Sequence, residues 1–203
     1  MGEHPNHNVG LHRNMKRTAL IFQPSHLEIS IFSKNGTREF TKIDPLESYL
    51  SNFMRIILTQ MSGVPQSILD TGGTPRVTTE GGTFKVNAPA ANSTYGLVVG
   101  TGTTPVTIQD YKLQTQILNG SGAGQLAHQI SVVTAMQNGA DYSQFQIQRN
   151  FINQSGSSIT VKETGLYVIH QTYFYCIVRD LTGDIVVANG KTLAMQYYIK
   201  TTV

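Results

Sequence analysis

"DIVVANGKTLAMQYYIK", residues 184 to 200, sets the reading of the fold. From Leu193 onward the side chains alternate. Leu193, Met195, Tyr197 and Ile199 fall on one face, and Ala194, Gln196, Tyr198 and Lys200 on the other. A strand with one buried and one wet face needs that two-residue period. The preceding "DIVV" is rich in β-branched residues, and Asn189-Gly190 separates the two runs. Asn-Gly is the strongest short signal for a tight turn between antiparallel strands, so the chain is expected to close with a β-hairpin.

The same texture extends back to about residue 63. "RVTTE", "TFKVN", "YGLVVGTG", "AHQISVVTAMQ", "SQFQIQRNFIN", "SITVKETGLYVI" and "TYFYCIVRDL" are short β-rich runs punctuated by Gly, Pro, Asn and Ser. Roughly eight to ten strands with turns between them predict an antiparallel β-sandwich over 63–203. The fold class expected is therefore mainly β. Ahead of the sandwich, 18–62 reads as an attachment segment of hairpin plus helix. Leu27, Ile29 and Ile31 alternate with Glu28 and Ser30, and Asn35-Gly36 makes the turn into "TREFTKI". The helix is expected to start at Asp44 as cap, with Pro45 at its first position and Glu47 three residues after the cap. Leu46, Leu50, Phe53, Ile57 and Met61 form its stripe, and Ser62-Gly63 ends it. Met54, Ile56 and Leu58 lie off that stripe, so the helix is expected either to pack on two sides, against its own domain and against a neighbouring subunit, or to lie across a sheet. Residues 1–17 are polar, carry three of the six His, and read as an arm that a partner orders.

Composition narrows the function. Charged residues make up 13% of 203, against roughly 25% in an average soluble protein, with Thr, Ser, Asn, Gln and Gly in their place. Such surfaces suit extended β-structure and permanent assemblies. The net charge of +3 is matched by the excess of Arg13, Lys16, Arg17, Lys34, Arg38 and Lys42 over Glu3, Glu28 and Glu39. Three excess charges are too few to favour nucleic acid as a partner. Cys176 is the only cysteine, which excludes an intrachain disulfide and a cysteine zinc site, and its apolar setting predicts an inert buried thiol. The first residues lack the apolar stretch of a signal peptide, Asn6 breaks the myristoylation pattern, and no apolar run of about 18 residues suggests a membrane span.

Several motifs invite chemistry. "ILDTGGTP", residues 68 to 75, is spelled like the catalytic loop of an aspartic protease, which needs two carboxylates sharing a proton. Here the Asp follows a helix and Pro65, and the apolar-apolar-Gly partner "LVVG" comes too soon to leave room for a flap. Asp and Gly also favour turns, so a turn is expected at Asp70. "LVVGTGTTP" offers Gly100 and Gly102 as a phosphate loop, but no third glycine, no Lys-Ser/Thr and no helix pattern follow. His4, His7 and His12 hold a metal only if an oligomer gathers them, and His128 and His170 lie in strand-like text. No Ser-His-Asp set is readable, and Glu163 and Asp180 stand as single carboxylates. Tyr167, Tyr173, Tyr175, Tyr197 and Tyr198 read as core and interface residues, or alternatively as a sugar-binding platform. No cofactor or metal is assigned. Gly36, Gly100, Gly102, Gly156, Gly165 and Gly190 are expected at turns that need special backbone.

Three stretches carry a resemblance. "GLVVGTGTTPVTIQDYKLQTQI" from Gly96, "NFINQSGSSITVKETGLYV" to Val168, and "FYCIVRDL" followed by "VVANGKTLAMQYYI" resemble, in that order, segments of virion structural proteins of tailed bacteriophages. The resemblance covers roughly 96–200 and leaves 1–95 uncovered. It implies a β-sandwich building block of a tail, fibre, collar or head decoration, with no catalytic residues. The implied partners are other virion proteins and further copies of the chain, the implied location is the virion, and no membrane is involved. Arg13, Lys16, Arg17, Phe53, Met54, Ile57 and Met61 are the expected assembly contacts. Deleting 1–17 is expected to leave a folded sandwich that does not incorporate. A carbohydrate-binding adhesin is the alternative, with a glycan as ligand, and a DTG-type protease the third.

Overall fold

The computed structural model describes residues 23–45 and 49–202. It is mainly β, with antiparallel sheets and a single helix among the described residues. Strand β1 (Gln23–Phe32) turns through Asn35-Gly36 into β2 (Arg38–Asp44), as the alternation and the turn predict. Helix α1 (Ser51–Ser62) leads to a small hairpin of β3 (Gln66–Leu69) and β4 (Pro75–Thr78). Then follow β5 (Gly96–Gly100), β6 (Ala127–Val133), β7 (Gln137–Asn138) and β8 (Tyr142–Ile152). The long strands β9 (Ile159–His170), β10 (Tyr173–Val187) and β11 (Thr192–Thr202) close the chain.

One sheet runs β2-β1-β11-β8-β6, with β7 added on β8, and the other runs β10-β9-β5. Their inner faces meet in one core. Leu27, Ile29, Phe151, Leu193, Met195 and Tyr197 come from the first sheet, and Leu97, Val99, Val161, Leu166 and Tyr175 from the second. Burying such side chains supplies about 1.5–3 kcal/mol each against the entropy of ordering the chain. Because β1 pairs with β11 along nine positions, the hairpin within 18–62 is part of the sandwich wall and not an appendage to 63–203.

Two local expectations are corrected. The closing hairpin does not form. β10 pairs with β9, whereas β11 pairs with β1 and β8, so Asn189-Gly190 carries the chain from one sheet to the other. Asn153 holds that arch. Its backbone accepts from Gly190 N and donates to Lys191 O, while its amide donates to the Val187 and Ser157 carbonyls. The helix also starts later than expected. Asp44 ends β2 beside Lys42, and Leu50 sits at the helix N-cap without a side-chain cap. Residues 46–48 of the expected first turn lie outside the described residues. The buried face of α1 is Asn52, Ile56 and Thr59, not the stripe through Phe53, Ile57 and Met61. Asn52 Nδ2 donates to Leu69 O and Cys176 O, so hydrogen bonding to β3 and β10 sets the rotation of the helix.

The six glycines divide by cause. Gly36, Gly156 and Gly190 adopt positive φ, as expected. Gly100, Gly102 and Gly165 do not. They are glycine because a Cβ would collide with Thr115 O, with the Glu163 carboxylate and with Val178 O respectively.

Candidate functional site

Asp70 sits in the loop that joins β3 to β4. Oδ1 accepts from Gly72 N at 2.9 Å and Thr74 N at 2.8 Å, and Oδ2 accepts from Arg76 Nε at 2.9 Å. Burial alone would raise its pKa, but the Arg76 bond and the two amides outweigh it and hold the carboxyl below its usual range. Arg76 in turn stacks over Tyr173 at 4.1 Å. Both carboxylate oxygens are thus engaged in the turn and with Arg76.

The glycines of "LVVGTGTTP" surround a carboxylate rather than a phosphate. Glu163, fully buried in β9, accepts four hydrogen bonds. Gly102 N (3.0 Å) and Thr115 N (2.8 Å) reach Oε1, and Gln114 N (3.0 Å) and Arg179 Nε (2.9 Å) reach Oε2. Arg179, 2% exposed, also donates to Asp110 Oδ2 at 2.7 Å and to both oxygens of Thr104. The Asp110 carboxylate is held below its usual pKa by its bonds from Thr107 and Arg179, against the opposing effect of burial. Tyr167 Oη accepts from Leu113 N, and Tyr197 Oη donates to Asp180. The cluster fastens residues 100–115 onto β9 and β10.

Arg149 of β8 is 1% exposed and uses all five of its N–H donors on carbonyls. Nε donates to Gln129 O, Nη1 to Tyr95 O and Leu97 O, and Nη2 to Pro89 O and Asn92 O. Burial pushes the guanidinium down to about 10, so it is still a cation at neutral pH. His128, also buried, stands edge-on to Phe151 at 4.9 Å. Burial first, then the Arg149 charge, drives its pKa down from 6.5 to about 4, and the backbones of Asn92 and Ile117 offset part of that shift. The folded chain therefore binds fewer protons on this ring than the unfolded chain does. Its contribution is complete above about pH 6.5 and is lost as the pH falls toward 4. Between pH 7.5 and 4.5 that loss amounts to about 2–3 kcal/mol. Denaturant titrations should show His128→Leu losing less stability than the parent over that interval by this amount. Equal pH slopes for the two proteins would contradict it.

The other described candidates occupy positions in the core and its margins. Tyr167, Tyr175 and Tyr197 are buried, so the five tyrosines do not form one surface platform. Cys176 is buried, and burial raises its thiol well above the usual range. His170 is buried and stacked on Phe84 at 4.4 Å, and neither ring nitrogen has a hydrogen-bond partner among the described residues. His4, His7, His12, Arg13, Lys16 and Arg17 lie outside the described residues. Among the described residues no group of three His, Cys, Asp or Glu gathers to hold a metal ion, and no helix is long and apolar enough to cross a membrane.

What is left unsatisfied is apolar surface. Met54, Leu58 and Met61 are 61%, 49% and 83% exposed on the outer face of α1, and Val64 and Val77 are exposed close to it in sequence and on the β3–β4 hairpin. Phe53 and Ile57 are half-buried and line a groove of about 560 Å³ between α1 and the core, and Phe53 stacks on Tyr49 at 4.0 Å. Phe84, Val86, Phe145, Leu166, Val168 and Ile199 are among its other lining residues. The sequence singled out Phe53, Met54, Ile57 and Met61 together. The structure assigns Met54 and Met61 to the outer face and Phe53 and Ile57 to the groove. Leu58 was visible only as an off-stripe residue, and the groove walls from β8, β9 and β11 were not visible at all. Comparison with protein families, curated proteins and solved structures returns no match.

Proposed function

We propose that this chain is a structural component of a bacteriophage particle, in its tail, fibre, collar or head decoration, and that it acts by protein–protein assembly with further copies of itself and other virion proteins. The observation that carries the reading is the outer face of α1. Met54, Leu58 and Met61, at i, i+4 and i+7, form an apolar stripe turned to solvent on a helix whose other side is already packed. Exposed apolar stripes of this kind mark interaction surfaces. The polar clusters support the same reading from the other side, because Asp70, Glu163, Arg179 and Arg149 are consumed in holding loops. Arg13, Lys16 and Arg17 are the proposed contacts of the arm.

Leu58→Glu with Met61→Glu should leave the melting temperature within about 2 °C, since surface changes cost about 0.5 kcal/mol or less. The same variant should lose self-association by light scattering and incorporation by quantitative mass spectrometry of purified particles. Absence of the parent chain from those particles would discard the reading.

A further inference from the structure

The outer face of the first sheet carries amide side chains that the fold leaves unused. Leu193 and Met195 of β11 and Ile147 and Phe151 of β8 belong to the core, so the residues between them, Ala194 with Gln196 and Gln148 with Asn150, face outward. The register sets Gln196 beside Gln148, Ala194 beside Asn150, and Thr192 beside Phe32 of β1. Neighbouring strands lie about 4.8 Å apart and residues of one face repeat every ~7 Å, so Thr192, Gln196 and Asn150 border the small Ala194 at close range. These residues line a hollow of about 410 Å³. A second hollow, of about 500 Å³, shares Lys34 and Thr192 with the first and adds Gln154 and Asn189.

We propose that the two adjoining hollows form a trough that binds a neutral oligosaccharide. The state of the amides carries this. Among the described residues, the side chains of Gln148, Asn150 and Gln196 have no hydrogen-bond partner. The amides of Asn52 and Asn153, by contrast, are spent on backbone carbonyls. Each free amide offers N–H donors and a carbonyl acceptor from one planar group, and a sugar hydroxyl both donates and accepts. Ala194 and Phe32 supply apolar surface for the C–H side of a sugar ring. Among the described lining residues there is no carboxylate, and Lys34 is the one charge. A single exposed lysine adds little to the binding of an anion, so the neutral groups decide the ligand. The positions are also set in advance. β8 and β11 pair without a break from Thr192 to Thr202, so no backbone has to be ordered when the ligand arrives. None of the five tyrosines lines the trough, which makes it a different site from the aromatic platform that the sequence suggests.

The test uses the full chain and no particles, so its outcome is separate from that of the assembly reading. An array of immobilised neutral and acidic oligosaccharides selects a binder, and calorimetry with that oligosaccharide in solution gives its affinity. A neutral oligosaccharide should bind, and Gln148→Ala with Asn150→Ala should weaken it at least roughly tenfold. Lys34→Gln should stay within about twofold of the parent, and so should the assembly variant Leu58→Glu with Met61→Glu. The two amide changes remove no side-chain hydrogen bond among the described residues, so the melting temperature should hold within about 2 °C and the loss reads as binding, not unfolding. An array on which the parent chain binds nothing would overturn the proposal. So would an acidic oligosaccharide whose binding is lost with Lys34→Gln, or a neutral one whose affinity the double amide variant leaves unchanged.

Discussion

Glu163→Gln is expected to lower the melting temperature by roughly 10 °C, although the substitution changes the side chain by little more than a charge. Two donors converge on each carboxylate oxygen: Gly102 N and Thr115 N on one, Gln114 N and Arg179 Nε on the other. An amide NH2 in either position faces two N–H groups, so no flip of the glutamine rescues the site. The lost charge also leaves the buried Arg179 with Asp110 as its one carboxylate partner among the described residues. Breaking a buried ion pair from one side costs about 3–5 kcal/mol, and each kcal/mol is about 2–4 °C in a chain of this size. Asp110→Asn should cost clearly less, because Asp110 is partly exposed and water can replace part of what it gives Arg179. Thermal melts followed by circular dichroism compare the three proteins. A Glu163→Gln melt within about 2 °C of the parent would show that the network is not what holds 100–115 in place.

That network also marks where the sequence stops being readable. Glu163 is a lone carboxylate in the text because three of its four partners are backbone amides, which have no residue signature. The glycines beside it hinted at special backbone, but the reason is the closeness of Glu163 and Thr115, which only the pairing of β5 with β9 creates. The three stretches that resemble phage proteins contribute Gly100, Gly102, Asp110, Glu163 and Arg179 to this one cluster. In the β1–β2 hairpin, by contrast, alternation and Asn35-Gly36 were sufficient, because both strands are local. The Asn189-Gly190 arch shows the limit of the same signal. A turn flanked by alternating strands looks identical whether the strands pair with each other or face each other across a core. The choice lies with β9, β1 and β8, which take the two strands as separate partners. In α1 the apolar stripe misled because Asn52 and Thr59 are buried on either side of Ile56, where Asn52 donates to the Leu69 and Cys176 carbonyls and Thr59 Oγ1 shares a hydrogen bond with Thr78 Oγ1.

Arg149 is the second residue whose loss should be severe, and the order among its variants is the informative part. Its five carbonyl partners come from the 89–97 segment and from Gln129 on β6, and among the described residues no carboxylate pairs with it. Arg149→Met keeps the apolar stem and takes the donor away from all five carbonyls, of which the Leu97 bond is fully buried and the other four are partly buried. At about 1 kcal/mol for each bond the sum is a large fraction of the roughly 5–15 kcal/mol that holds a domain folded. That variant is expected to be unfolded or to melt at least roughly 15 °C below the parent. Arg149→Lys keeps the charge but brings three donors from one point, which can serve at most three of the five acceptors, so it should melt between the two. Hydrogen exchange on Arg149→Lys separates this account from a general loosening. Amides of 89–97 should lose protection before those of β9 and β10, because Arg149 holds that segment against β8 while the β9–β10 ladder has its own pairing. If the lysine variant matched the parent in melting and exchange, the charge alone would be what the site needs. The five directed bonds would then be a consequence of the fold and not a cause of it.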